Sequence, residues 1–125
     1  MKRTQFTIPG ELPSLNEIVK KANLRGKKYQ AYAQMKERYT LLCKSCCPRG
    51  ITIEYADLIT FLWITKDRKK DKDNIRGGAK FILDGMEAAR MIPRDSYKHI
   101  GSFHDDYGVD KLNPRTEVTV GHEDN

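Results

Sequence analysis

Asp71 and Asp73 stand two residues apart inside the run Lys66-Asp67-Arg68-Lys69-Lys70-Asp71-Lys72-Asp73-Asn74. In an extended chain, residues i and i+2 project to the same side, about 6–7 Å apart at the backbone. Two carboxylates so placed can reach one divalent ion. Magnesium takes one or two carboxylates and fills its other positions with water and substrate phosphate. The run mixes three carboxylates with five cations. Acid alone repels phosphate, so a plain nucleic-acid patch gains nothing from it. A bound metal reverses that balance. Acid within base therefore points to a site that attracts a phosphodiester and holds a divalent ion against it.

The elements that must position this run can be read from periodicity. Ile59-Thr60-Phe61-Leu62-Trp63-Ile64 lies just before it and reads as the end of a β-rich stretch from Ile51 to Thr65, with a break near Ala56-Asp57. After it, a helix is predicted from about Gly78 to Ala89. Phe81, Ile82, Gly85, Met86 and Ala89 form its inner face, and Lys80, Asp84 and Glu87 its outer face. Thr4 to Ile8 alternates and reads as an opening strand, which Pro9-Gly10 ends. Glu11 to Glu17 reads as a turn-rich loop. Tyr29 to Ser45 has helical spacing through Tyr32, Met35, Tyr39 and Leu42. Tyr97 to Phe103 and Glu117 to Val120 read as two closing strands. The expected class is α/β (mixed α+β): a small mixed sheet with two main helices, in the order β-α-β-α-β-β.

With 125 residues, one domain over residues 1–125 is expected, with a short polar tail from about residue 121. The net charge is +6 and the pI about 9.3, which favours a polyanionic partner. No apolar run approaches the roughly 18 residues of a membrane span, so no membrane partner is expected. Met1-Lys2-Arg3 does not open a signal peptide, and the expected location is the cytosol. The three cysteines, Cys43, Cys46 and Cys47, read as half-buried helix-end residues. Cys43 and Cys46 have zinc spacing, but no second pair completes a ligand set.

The larger pattern resembles a known family. Asp71-x-Asp73-Asn74, then Lys80-x-x-x-Asp84 on a helix, then Asp95 eleven residues later, is similar to the motif of the RusA-type Holliday junction resolvases, in a Gram-positive or prophage-like form. Asp67-Arg68-Lys69-Lys70 resembles the family's basic approach to its first catalytic aspartate. Ile8-Pro9-Gly10 with Pro13-Ser14-Leu15-Asn16 resembles its opening strand and loop. The resemblance spans nearly the whole chain. It departs in two places. Three extra residues, including Gly77-Gly78, separate Asn74 from Lys80, and Arg94-Asp95 stands where the family often has two adjacent acids.

The resemblance implies a magnesium-dependent crossover junction endodeoxyribonuclease of DNA recombination and repair, with manganese as a substitute ion and no small-molecule cofactor. It implies that Asp71, Asp73 and Asp95 are catalytic and hold the metal. Lys80 would be the essential lysine and Asp84 a further acid. A four-way junction has two symmetry-related strands to cut, so it also implies a homodimer. On physical grounds Lys66, Arg68, Lys69, Lys70 and Arg76 would hold flanking phosphates. Ser14 and Asn16 would either cap a turn or touch DNA. The alternatives are a non-catalytic DNA-binding module of the same fold and a nuclease for other branched substrates. Trp63 is expected in the core, Tyr29, Tyr32 and Tyr39 in helix packing, and His99 on a strand surface. His104-Asp105-Asp106 is expected in a solvated turn where a strand ends.

Overall fold

The computed structural model describes residues 1–23 and 30–123. The basic loop Arg25-Gly26-Lys27-Lys28 and Tyr29 lie outside the described residues. Four strands form one mixed sheet: β1 (Lys2–Pro9), β2 (Ala56–Thr65), β3 (Ile100–Val109) and β4 (Arg115–His122), in the order β1-β4-β2-β3. β4 pairs antiparallel with both β1 and β2, and β2 pairs parallel with β3. The helices are α1 (Leu15–Ala22), α2 (Gln30–Cys46), α3 (Lys72–Arg76) and α4 (Ala79–Ala88). The expected mixed sheet is present, with two helices beyond the expected order.

Period-two alternation decides which face of the sheet is covered. Phe6 and Ile8 of β1, Ile59, Phe61 and Trp63 of β2, and Val118 and Val120 of β4 are all buried. Register puts them side by side: Phe6 and Phe61 both pair with Val118, and Ile59 pairs with Val120. Phe81, Ile82 and Met86 of α4 and Cys43 of α2 close the core over them. The opposite face, with Gln5, Leu58, Thr60, His104 and Thr119, stays open to water.

Several expectations shift. Only Ala56–Thr65 of the stretch from Ile51 is a strand, because the chain before it is held by single bonds such as Ile53 N–H to the Met91 carbonyl at 2.7 Å. β3 starts three residues later than predicted and runs on to Val109. His104-Asp105-Asp106 is therefore the middle of a strand and not a turn. His99 lies just before β3, its Nδ1 2.9 Å from the Glu54 carbonyl oxygen. Glu11 to Glu17 is not all loop, since Ser14 caps α1. Among the described residues, no helix is long and apolar enough to cross a membrane.

Candidate functional site

The helix layer stops short of β3. Register places Phe103, Asp105 and Tyr107 beside Ile59, Phe61 and Trp63, on the same face of the sheet. Yet Phe103 is 44% exposed, where its neighbours on β2 are buried. An open strip thus runs along the inner face of β3, and the residues singled out by the sequence are distributed beside it.

At the C-terminal end of β2 the chain leaves the sheet into the basic loop. This is the carboxyl end of a parallel pair, where open α/β sheets bind ligands. A hollow of about 370 Å³ there is lined by Asp67, Arg68, Lys70, Lys72 and Tyr107. The loop is braced from below. Lys66 N–H donates to Glu11 Oε2 at 3.0 Å, and Lys70 Nζ lies 3.4 Å from Glu11 and 3.5 Å from Glu17. Arg68 and Lys69 are exposed.

Asp71 and Asp73 do not lie on an extended chain. Asp71 is the N-cap of α3 and Asp73 sits in its first turn. Asp71 keeps an extended backbone while Asp73 is helical, so the two do not share the regular alternation of a strand. The cause is the α3 backbone, whose first bond runs from Ile75 N–H to the Asp71 carbonyl at 3.0 Å. Asp73 Oδ1 accepts from Asn74 N–H at 2.9 Å, while the Asp71 carboxylate makes no cap bond. Lys72 lies over the Tyr107 ring, and Tyr107 donates its hydroxyl to the Lys72 carbonyl at 3.2 Å. Burial raises the Tyr107 pKa, the nearby charges of Asp105 and Asp73 add to the rise, and Arg76 opposes it.

The three extra residues before Lys80 are not a longer loop. They form the tight junction of α3 and α4, pressed against the segment that carries Ser14. A β-carbon on Gly77 would stand 2.8 Å from the Leu15 backbone nitrogen, so only glycine fits. Asn16 N–H donates to Asn74 Oδ1 at 2.8 Å across the same contact. Ser14 forms a capping box with Glu17 and is 2% exposed. Of its two expected roles the hydroxyl takes the cap, and burial withdraws it from DNA.

At the other end of the strip stand Lys80, Asp84, Glu87 and Asp95. Lys80 Nζ forms a loose ion pair with Asp84 Oδ2 at 3.9 Å, and that buried oxygen has no hydrogen-bond partner. The Asp95 carboxyl is held above the usual aspartate range. Partial burial is the main cause, then the charges of Asp84 and Glu87, with Lys80 opposing. Asp95 also lines a shallow hollow with Tyr97 and Phe103.

Asp73 therefore belongs with Tyr107, and Asp95 with Phe103. Phe103 and Tyr107 are four positions apart on β3, about 13 Å of rise. The backbone brings Asp71 and Asp73 to one end of the strip and Asp95 to the other. Among the described residues, no three His, Cys, Asp or Glu side chains are gathered closely enough to hold a metal ion. The donor chemistry still suits a hard cation. It is all carboxylate, it carries an orphaned oxygen on Asp84, and Asp95 is loaded with negative neighbours.

Sequence reasoning missed Asp105, Glu87 and the aromatic residues of β3. The alternation of Ile100 through Val109 was the available signal, and Gly101 and Gly108 weaken it. No protein-family model matches the chain, and no curated protein matches it.

Proposed function

We propose that this protein is a magnesium-dependent endodeoxyribonuclease that resolves four-way DNA junctions by paired symmetric nicks, acting as a homodimer. The observation that carries the reading is the open strip of β3, flanked by the acids Asp73 and Asp95 and by the cations Lys72, Arg76 and Lys80. A strand of DNA laid along it meets cations that hold phosphate and carboxylates that hold a metal.

Metal would be held by Asp71 and Asp73 at one end of the strip and by Asp95, with Asp84 as a further acid, at the other. The ion would supply an activated water and a Lewis acid for phosphodiester hydrolysis. Lys80 places positive charge near the scissile phosphate and the departing oxygen. Arg68, Lys69 and Arg76 bind flanking phosphates, with Lys66 and Lys70 behind them. Lys70 is already paired with Glu11 and Glu17, so its main work is to brace the loop.

A second reading, a non-catalytic module that binds branched DNA, is favoured by the separation of Asp73 from Asp95 along β3. One experiment decides between them. Purified protein is incubated with a labelled four-way junction, with and without magnesium, beside Asp73→Asn. A nuclease gives symmetric nicks that need magnesium. Asp73→Asn lowers the rate by roughly 100-fold or more while junction binding persists or tightens. Tight binding with no nicks in any junction sequence supports the module instead.

A further inference from the structure

Asp105 sits at the centre of the open strip, and both its carboxylate oxygens are committed. Trp63 Nε1–H donates to Oδ1 at 2.8 Å, and Arg76 Nε–H donates to Oδ2 at 2.8 Å. Trp63 is 2% exposed and stacks on Phe61 with ring centroids 5.4 Å apart. One oxygen of Asp105 is thereby tied to the core, and the other holds an arginine of α3. The Arg76 guanidinium carbon lies 6.0 Å from the Phe103 ring centroid, at the edge of cation–π range. The carboxylate holds Nε, and the ring borders the guanidinium.

Only Nε of Arg76 is used. Among the described residues, no protein partner meets its two Nη groups, and the side chain is 39% exposed. An arginine free in solvent must give up many rotamers to bind a phosphate in a forked geometry. An arginine held in place has already done so. The Asp105 charge is itself offset by this pairing, so it repels DNA less than an unpaired acid on the strip.

We propose that Asp105 is a positioning residue that presets Arg76, so that the two Nη groups receive a phosphate of the strand passing between Asp73 and Asp95. The proposal rests on the nuclease reading above and adds to it a role for Asp105, outside the metal-binding set. Arginine matches two phosphate oxygens with parallel N–H donors, and lysine does not.

A double-mutant cycle on junction binding, measured without magnesium, tests this. Asp105→Asn removes a negative charge from a DNA-binding face, so charge alone predicts tighter binding. Positioning predicts the opposite, a loss of roughly tenfold. In an Arg76→Ala background the same substitution should no longer weaken binding. Arg76→Lys keeps the charge and should still lose roughly tenfold. The salt slope of binding should fall by about one for Arg76→Ala. Melting temperatures report whether each variant folds. If Asp105→Asn does not fold, Arg76→Lys and Arg76→Ala decide the matter. Wild-type affinity in Arg76→Lys, or equal or tighter binding by a folded Asp105→Asn, overturns the positioning role and leaves the nuclease reading intact. A wild-type protein that neither binds nor cuts branched DNA overturns both.

Discussion

Gly85 of α4 meets Cys43 of α2 backbone to backbone. A β-carbon on Gly85 would stand 2.6 Å from Cys43 Cβ and 2.8 Å from the Lys44 nitrogen. Neither neighbour is the end of a flexible side chain, so the helices would have to part. Both pack on the sheet, and α4 carries Lys80 and Asp84. Gly85→Ala should therefore destabilise the fold by about 2 kcal/mol or more through overpacking. That outweighs the roughly 1 kcal/mol that alanine gains in helix propensity. Denaturant midpoints with an unchanged slope would measure it. A variant as stable as wild type would mean that the two helices can separate without loss.

Asp95 should make stability depend on pH. Its carboxyl is raised by partial burial and by Asp84 and Glu87. The folded state then binds the Asp95 proton more tightly than the unfolded state does, so ionised Asp95 strains the fold at neutral pH. The strain is relieved as pH falls through the raised value, and it is gone below the ordinary aspartate value near about 4. Asp95→Asn should raise the melting temperature at pH 7, with a gain that shrinks as the solution is acidified. Lys80→Met removes the opposing charge and should lower the melting temperature at pH 7. Melting curves of the three proteins across this range test the sign. A gain for Asp95→Asn that grows on acidification would contradict it.

The thiols should differ in reactivity. Burial pushes Cys43 up to about 12 and Cys47 up to about 11, with the neighbouring thiols adding to each rise. Cys47 also donates its Sγ–H to the Cys43 carbonyl at 3.3 Å. Thiolate is the reactive form, so at pH 8 both should resist alkylation in the folded protein. Cys46, which is partly exposed, should react first. Mass spectrometry after brief iodoacetamide treatment should find a single label, at Cys46. Equal labelling of all three without denaturant would show that the C-terminal end of α2 opens in solution.

Much of the fold was legible one element at a time. The spacing of Phe81, Ile82, Gly85 and Met86 marked α4 to within a residue, because one face of that helix is apolar and the other charged. Tyr32, Met35, Tyr39 and Leu42 marked α2 in the same way, and Tyr39 packs at 5.7 Å from Phe81. α1 was missed although its signal was present. Ser14 and Glu17 have capping-box spacing, but Pro13 and the short amphipathic run hid the helix behind them. α3 was missed for a different reason. Its five residues carry one apolar side chain, Ile75, which packs against the core but is too little to show a period, and tertiary contacts at Gly77 and Asn74 hold the helix.

The same division runs through the candidate site. By itself the sequence determined the chemistry on offer: aspartates, a lysine and a dense set of cations, in a basic chain with a mixed sheet. Residue identity and local periodicity carry that information, because charge and side-chain period are local properties. Tertiary structure alone decided which of these groups face one another. It separated Asp73 from Asp95, gathered Asp84, Glu87 and Asp95, and joined Trp63, Arg76 and Asp105. Those contacts depend on the parallel register of β2 with β3 and on the close junction of α3 with α4. Both are set by packing between segments far apart in the chain, which no local pattern encodes.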